Sequence, residues 1–429
     1  MRGGPDLPSA TRGRRVWLHV GCLFDGVGPE PLRGAHVVYD ADSILHVGGL
    51  DRPPPPELRA PAGAGPDLVL EDYTLLPGLI EAHAHLFLEG GELDPERRRA
   101  AARRSPAELL RAAQSRLERI VRMGIVAIRD AGDVAGVGLA LAALSKRADR
   151  PLMPDVESPG AAIHRRGHYG AFFARPLEDH ASARECVRSR VADGADSIKL
   201  VATGVVDMGR GSMSEEPQLS GADVRELVEA SRELGRQTFA HASGEEGIER
   251  VIEGGVGSVE HGYFVRPDQL ARLRDGGIAW TPTLAPVRQQ RDHGEEWGQR
   301  PGTATVVRSL LDQHARAVLR AHELGVTILA GSDAGSPGVP HGLGLLDELE
   351  LLEQVGLPPS AVLAAATGNG AAQLRAGTKL GQVCAGFASR FILTRHSPLE
   401  RIANLMETKI VVFDGVAYPS RQPPEAAGL

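Results

Sequence analysis

The chain has 429 residues, of which 42% are hydrophobic and only 4% aromatic, so it is long enough for one large domain and a smaller one, with aliphatic and alanine packing in the core. Its formal net charge of −7 argues against a nucleic-acid binder held by phosphate neutralisation. Cys22, Cys186 and Cys384 are few, odd in number and far apart, which predicts neither a disulfide framework nor a cysteine zinc site.

The first 15 or so residues read as a disordered leader. They are basic but are followed by no apolar stretch of signal-peptide type, and no segment reaches the length of a membrane span, so a soluble cytoplasmic protein without membrane partners is expected. From Val16 to Leu76, "VWLHVG", "GAHVVYD", "SILHVGG" and "DLVLEDYTLL" read as short strands separated by turns and by "RPPPPE" at 52–57.

From Leu79 the rhythm changes to short apolar strands alternating with amphipathic helices such as "PAELLRAAQSRLERIVRMG" and "GADVRELVEASRELG". Eight strand candidates follow in order: "LIEAHAH", "IVAIRDAGD", "MPDVESPG", "SIKLVATG", "TFAHASG", "SVEHGYF", "IAWTPTL" and "VTILAGSDAG". Eight strand-plus-helix units predict an α/β fold, a closed (β/α)8 TIM barrel over 79–375. Two more helices are expected near Gly344–Val355 and Pro358–Leu374. "GQVCAGFASRFILTR" and "TKIVVFDGVAYPS" return to strand text, which predicts a small β-sandwich domain built from both chain ends, 16–78 and 376–421. The last residues, "RQPPEAAGL", read as loose.

A barrel's active site sits at the C-terminal ends of its strands. There the candidate strands carry His83 and His85, Lys199, His241, His261 and Asp333. His83 and His85 are two residues apart, so on a strand both rings face one way. Imidazoles and a carboxylate suit Zn²⁺ and similar divalent ions. Lys199 fits such a set as a carbamate formed with CO2, an anionic donor that bridges two ions; a buried lysine paired with an acid is the alternative.

"PGLIEAHAHL", "SIKLVATG", "FAHASG", "SVEHGYF" and "AGSDAG" occur in the order and with the spacing that resemble the amidohydrolase superfamily, in its binuclear, carboxylated-lysine branch. "KLVATG" and "EHG" most resemble the prolidase-like and imidazolonepropionase-related members, which include Xaa-Pro dipeptidases, Xaa-Arg/Lys carboxypeptidases and ochratoxin-type amidases. The resemblance implies that His83, His85 and Asp333 hold the more buried of two divalent metals, that His241 and His261 hold the more exposed one, and that carboxylated Lys199 bridges both. It further implies hydrolysis of an amide in a dipeptide or N-acyl amino acid by a metal-bridging hydroxide, with Asp333 as the proton carrier. In the substrate pocket, His168 of "IHRRGHYG" matches a histidine that the resembled peptidases offer to substrate, where Arg165 and Arg166 replace small residues and supply bidentate donors for a carboxylate or face water. Tyr263 is a further substrate candidate or a packing residue, and the loop 202–220 a pocket wall. Ser389 stands where the family commonly has Asp, a departure in the β domain.

Three readings stay open at this stage: the amidase; a binuclear hydrolase of a cyclic amide, lactone or phosphotriester; and a non-catalytic barrel scaffold. Lys199 argues against the deaminases, which usually use one metal. "GDVAGVGLALAAL" lacks GxGxxG spacing, GxSxG is absent, and "LRAHELG" lacks HExxH spacing, so dinucleotide, serine-hydrolase and metzincin-type readings fall away. A homo-oligomer is compatible with all three.

Overall fold

The computed structural model describes residues 5, 7–11, 13–59, 65–297, 299, 302–375 and 378–420. The terminal "RQPPEAAGL" therefore lies outside the described residues, as do 376 and 377 at the expected domain boundary.

Strands from both chain ends share one sheet. β1 (Val16–Leu23), β2 (Leu32–Tyr39), β3 (Ile44–Gly49) and β4 (Leu68–Pro77) come before the α/β body. The body supplies β5 (Leu79–Ala84), β6 (Ile125–Asp130), β7 (Asp155–Glu157), β8 (Ala162–His164), β9 (Ala174–Pro176), β10 (Ile198–Val201), the small hairpin β11 (Val206–Asp207) and β12 (Ser212–Met213), β13 (Thr238–Ala242), β14 (Ser258–His261) and β15 (Ala279–Thr281). β16 (Phe391–Thr394), β17 (Lys409–Phe413) and β18 (Val416–Ser420) close the chain. The terminal strands hydrogen-bond in the order β18-β17-β16-β4-β1-β2-β3, so the expected pairing of the two ends occurs within a single seven-stranded sheet. Alternation puts Leu18, Val20, Val37, Tyr39, Phe391, Leu393 and Val412 into one core on this sheet. Val411 and Phe413 point the other way, against Val121 and Val126 of the body. The leader is not loose in its described part: Leu7 and Ala10 are buried in the sheet's own core, and the Ala10 amide donates to the Gly415 carbonyl.

Apart from the antiparallel hairpin β11-β12, the body is parallel. β5-β6-β7 form one sheet, and β15-β14-β13-β10-β8-β9 another. β5, β6, β10 and β13 are buried along their whole length, which explains their near-continuous apolar text. The eighth candidate, 326–335, is not a regular strand but runs between β15 and β5. Leu329 N donates to Trp280 O at 2.8 Å, Ala82 N to Ala330 O at 2.9 Å, and His85 N to Ala334 O at 2.8 Å. Its glycine is a packing requirement: a Cβ on Gly331 would sit 2.5 Å from the Thr281 side chain and 2.8 Å from that of His83.

Helices pack outside these strands. Over 106–122, Ser105 and Glu108 form a capping box with Pro106 at the first turn, and Leu109, Ala113, Leu117, Ile120 and Val121 make the buried stripe. Ser220 and Asp223 do the same for 221–233. The expected helix 358–374 is broken into 359–365 and 368–372 around Thr367, whose hydroxyl donates back to Leu363 O. The three cysteines are free. Among the described residues no helix is long and apolar enough to cross a membrane.

Candidate metal centre

Because the body strands are parallel, their C-terminal ends meet at one end of the fold. β10 pairs with β13 so that Val201 lies beside His241, and β13 with β14 so that Ala242 lies beside His261. His83, His85, Lys199, His241, His261, Tyr263 and Asp333 all line one cavity of about 400 Å³.

His83 and His85 each offer one nitrogen, and Asp333 one oxygen, within 4.8 Å of one another. Asp333 Oδ1 is 3.6 Å from His83 Nε2 and 3.7 Å from His85 Nε2. The rings of His241 and His261 are adjacent at 4.6 Å between centroids, and His261 is 5.0 Å from His83. Each imidazole has one nitrogen committed away from the others. His83 Nδ1 lies 2.6 Å from Glu260 Oε2, His85 Nδ1 3.2 Å from Gly132 O, His241 Nε2 3.0 Å from Gly204 O, and His261 Nδ1 2.8 Å from Thr283 Oγ1. As donors to these acceptors, the four rings keep a lone pair on the remaining nitrogen.

Two turns of backbone aim this set. His261 has φ 69° and Asp333 φ 53°, left-handed values that end their strands and that a β-branched residue would resist. Thr283, the partner of His261, has φ 50°. Its conformation is held by Glu348, whose carboxylate accepts from Leu284 N at 2.9 Å and Ala285 N at 2.7 Å.

Burial, followed by the nearby Lys199, pushes the pKa of His85 down to about 3 and that of His241 to about 4. Burial likewise holds His83 and His261 well below the usual histidine range. All four are neutral donors near pH 7. Burial lowers Lys199 to about 8 against the opposing pull of Glu260, and raises Asp333 to about 6.

Two polar atoms at the centre are left without partners. His83 Nε2 and Lys199 Nζ are buried and make no hydrogen bond among the described residues. Lys199 is 2% exposed, with its ammonium 4.7 Å from the Phe239 ring centroid. An unpaired buried donor costs about 1–3 kcal/mol, and four imidazole lone pairs beside a carboxylate repel one another unless a cation lies among them. The donor set fits divalent ions.

Beneath the cavity lies a layer of buried acids that strand periodicity did not single out. Glu260 accepts from His83, from Arg129 Nη2 at 2.9 Å and from Ser258 Oγ at 2.5 Å. Glu81 takes Ser332 N at 2.9 Å and Ser332 Oγ at 2.5 Å, fixing the turn that presents Asp333. The text "SVEHG" contained Glu260 in view; its spacing of two from Ser258 on one strand face was the available signal.

The other sequence candidates are placed differently. Tyr263 lines the cavity, but its hydroxyl donates to Thr283 O at 3.1 Å and its ring stacks on His314 at 3.9 Å. Arg165, Arg166 and His168 are not in the cavity wall. Arg165 is taken by Asp223 at 2.7 Å and Glu178 at 3.2 Å, Arg166 by Asp179, and His168 Nδ1 by Glu215 at 3.0 Å. The wall is instead Tyr169, Phe172 and Phe173 from the same loop, with Val205, Val206 and Met208 from the loop after β10, and Arg98 and Arg99 from the helix 95–102.

Comparison with known proteins gives the family and the fold. The Amidohydrolase family matches residues 74–417. The sequence is 28% identical over 307 residues to an uncharacterised protein of Mycobacterium tuberculosis, covering 71% of this chain and 75% of that one. It is 27% identical to ochratoxinase of Aspergillus niger over an alignment of 446 residues, covering 94% of this chain and 86% of that one. Among solved structures, a Xaa-Pro dipeptidase with methionine bound in its active site superposes with a TM-score of 0.77 at 24% identity, covering 94% of this chain and 100% of that one. The A. niger ochratoxinase structure gives 0.76 at 24% identity and covers 96% of each chain. At these identities the structural likeness carries the fold.

Proposed function

The chain belongs to the amidohydrolase family, and from that premise we propose that it is a binuclear metal-dependent amidase acting on a dipeptide or N-acyl amino acid. Family and relatives support a hydrolase of amide bonds. The observation that carries the metal reading is the pair of buried, partnerless atoms, His83 Nε2 and Lys199 Nζ, ringed by His85, His241, His261 and Asp333.

We assign His83, His85 and Asp333 to one ion and His241 and His261 to the other, with Lys199 joining both as a carbamate. Burial lowers Lys199 to about 8, which raises the share of neutral amine that adds CO2, and the carbamate gives the buried Nζ an anionic end. Zinc suits the nitrogen-rich donors. When bound by these residues, divalent ions would supply acidification of water and polarisation of a carbonyl. Asp333, raised to about 6, is matched to take the proton of the attacking water and return it to the leaving nitrogen. Glu260 keeps His83 in the tautomer with Nε2 unprotonated. Tyr263, Tyr169 and Phe173 wall the substrate side.

We read the parallel strands with 326–335 as a (β/α)8 barrel over 79–375, supported by the hydrogen bonds of that segment to both β15 and β5. We read the strands β1–β4 and β16–β18 as a small β domain beside it, supported by their single seven-stranded sheet and its separate core; the expected division into two packed sheets rests on the sequence reading of 16–78 and 376–421.

The test is amino-acid release from a panel of dipeptides and N-acyl amino acids by protein reconstituted with Zn²⁺ and bicarbonate, with Lys199→Ala as control. Release by the wild type and none by the control is expected. Two bound metals with no release would move the substrate to cyclic amides, lactones or phosphotriesters, and no bound metal would leave a scaffold.

A further inference from the structure

The cavity is lined by two unlike sets of residues. Phe172 and Val205, 48% and 36% exposed, and Met208 come from the loops that follow β8 and β10. Arg98 comes from the helix 95–102 in the connection after β5 and lines the same cavity. Its guanidinium is anchored by backbone alone: Nη2 donates to Gly335 O at 2.9 Å and Nη1 to Glu89 O at 3.1 Å. Those carbonyls belong to the two loops that carry His85 and Asp333, so Arg98 is held in register with the metal ligands.

Arg98 differs from the arginines around it. Arg97 pairs with Glu92 and Asp94, Arg99 with Glu96, and Arg104 with Glu89. Among the described residues no carboxylate forms an ion pair with Arg98, although it is half-buried. Burial lowers its pKa, with Glu92 and Asp333 acting only from a distance. Among the described residues its Nε–H is unclaimed, as is the second hydrogen of Nη2; these two donors form the edge of a guanidinium that grips a carboxylate by two bonds. A half-buried cation with no ion-paired carboxylate among the described residues, lining the cavity that holds the metal ligands, is a subsite for an anion that arrives with the ligand.

We propose that Arg98 is the residue that selects substrates bearing a free carboxylate, with Phe172, Val205 and Met208 receiving an apolar group at the other end. This rests on the amidase reading, since it names the acid end of that substrate; the sequence-level candidates for the same task, Arg165 and Arg166, are already neutralised by acids outside the cavity.

Binding separates this inference from turnover. The probes are N-benzenesulfonyl-leucine and N-benzenesulfonyl-phenylalanine, whose sulfonamide bond an amidase leaves intact, each as the free acid and as the carboxamide, titrated calorimetrically into zinc- and bicarbonate-loaded protein. The wild type should bind the acids at least about tenfold more tightly than the amides, as a two-bond contact to a charged group provides. In Arg98→Met the preference should fall to near unity with amide affinity kept, and Arg98→Lys should retain part of it. Equal affinity for acid and amide in the wild type, an acid preference that survives in Arg98→Met, or no binding of either acid would each overturn the proposal. Absence of hydrolysis with the acid preference intact would count against the amidase reading alone.

Discussion

Replacing Glu260 by Gln removes a charge at the point where the metal ligands and the strand core meet. Glu260 is fully buried and serves His83, Arg129 and Ser258 at once. Gln keeps the shape but offers one acceptor oxygen and an amide that donates. If the oxygen stays with Arg129, the amide faces His83 Nδ1 and drives the proton to Nε2, the nitrogen needed for a metal. Loss of such a ligand-orienting contact weakens metal binding about 10- to 100-fold, or about 1.4–2.7 kcal/mol. Arg129 keeps Ala82 O at 2.7 Å and Ser258 Oγ at 3.1 Å but loses its counter-ion. Breaking a buried pair costs about 3–5 kcal/mol, which the two remaining bonds reduce to about 2–4 kcal/mol. Competition for zinc with a chromophoric chelator reads the first effect, and urea unfolding of the metal-free protein the second. A variant with wild-type zinc affinity and a stability within about 0.5 kcal/mol of wild type would refute the role given to Glu260.

Asp333→Asn should abolish turnover yet fold, because Asn tolerates φ 53° and can still accept from Ser336 Oγ; amide hydrolysis beside a thermal melt checks both. Glu348 is raised from 4.5 to about 8 by burial, so its protonated form belongs to the folded state. Its contribution to stability is full below pH 4.5 and declines as pH rises toward 8, by up to about 1.4 kcal/mol per unit. Glu348→Gln should flatten that part of the stability profile of the metal-free protein, and an unchanged slope in urea melts would contradict the assignment. His168→Ala and Arg165→Ala remove ion pairs outside the cavity wall, each worth about 0–1 kcal/mol, so kcat/KM should change by less than about fivefold. A larger loss in kcat/KM with unchanged stability would return them to the substrate site.

The sequence carried the site further than it carried the pocket. Parallel β/α topology sends every strand's C-terminal end to one place, so residues as far apart as His83 and Asp333 were readable as neighbours from strand order alone. Left-handed turns at His261 and Asp333 were not readable, because strand periodicity assumes extended backbone. Those turns let consecutive residues Glu260 and His261 both serve the metal layer, one from below and one as donor. The cavity wall was hidden for a related reason. Loop residues have no period, and "RRGHYGAFF" gives no sign that its charged half turns to Asp223, Glu178, Asp179 and Glu215 while Tyr169, Phe172 and Phe173 turn inward. Arg98 sat in a run of three arginines that reads as a solvated face; only the tertiary fold brings Gly335 O to it. In its described part the leader misled through composition, since two apolar residues, Leu7 and Ala10, dock it.

The proposed reaction turns on a pair of ions joined through a carbamate on Lys199. Metal analysis of protein reconstituted with Zn²⁺ and ¹³C-bicarbonate, read together with its ¹³C NMR spectrum, tests both at once. Two zinc ions per chain and a carbamate resonance are expected, with the resonance lost and the metal content reduced in Lys199→Ala. A wild-type protein that holds no zinc, or holds two ions with no carbamate signal, would contradict it.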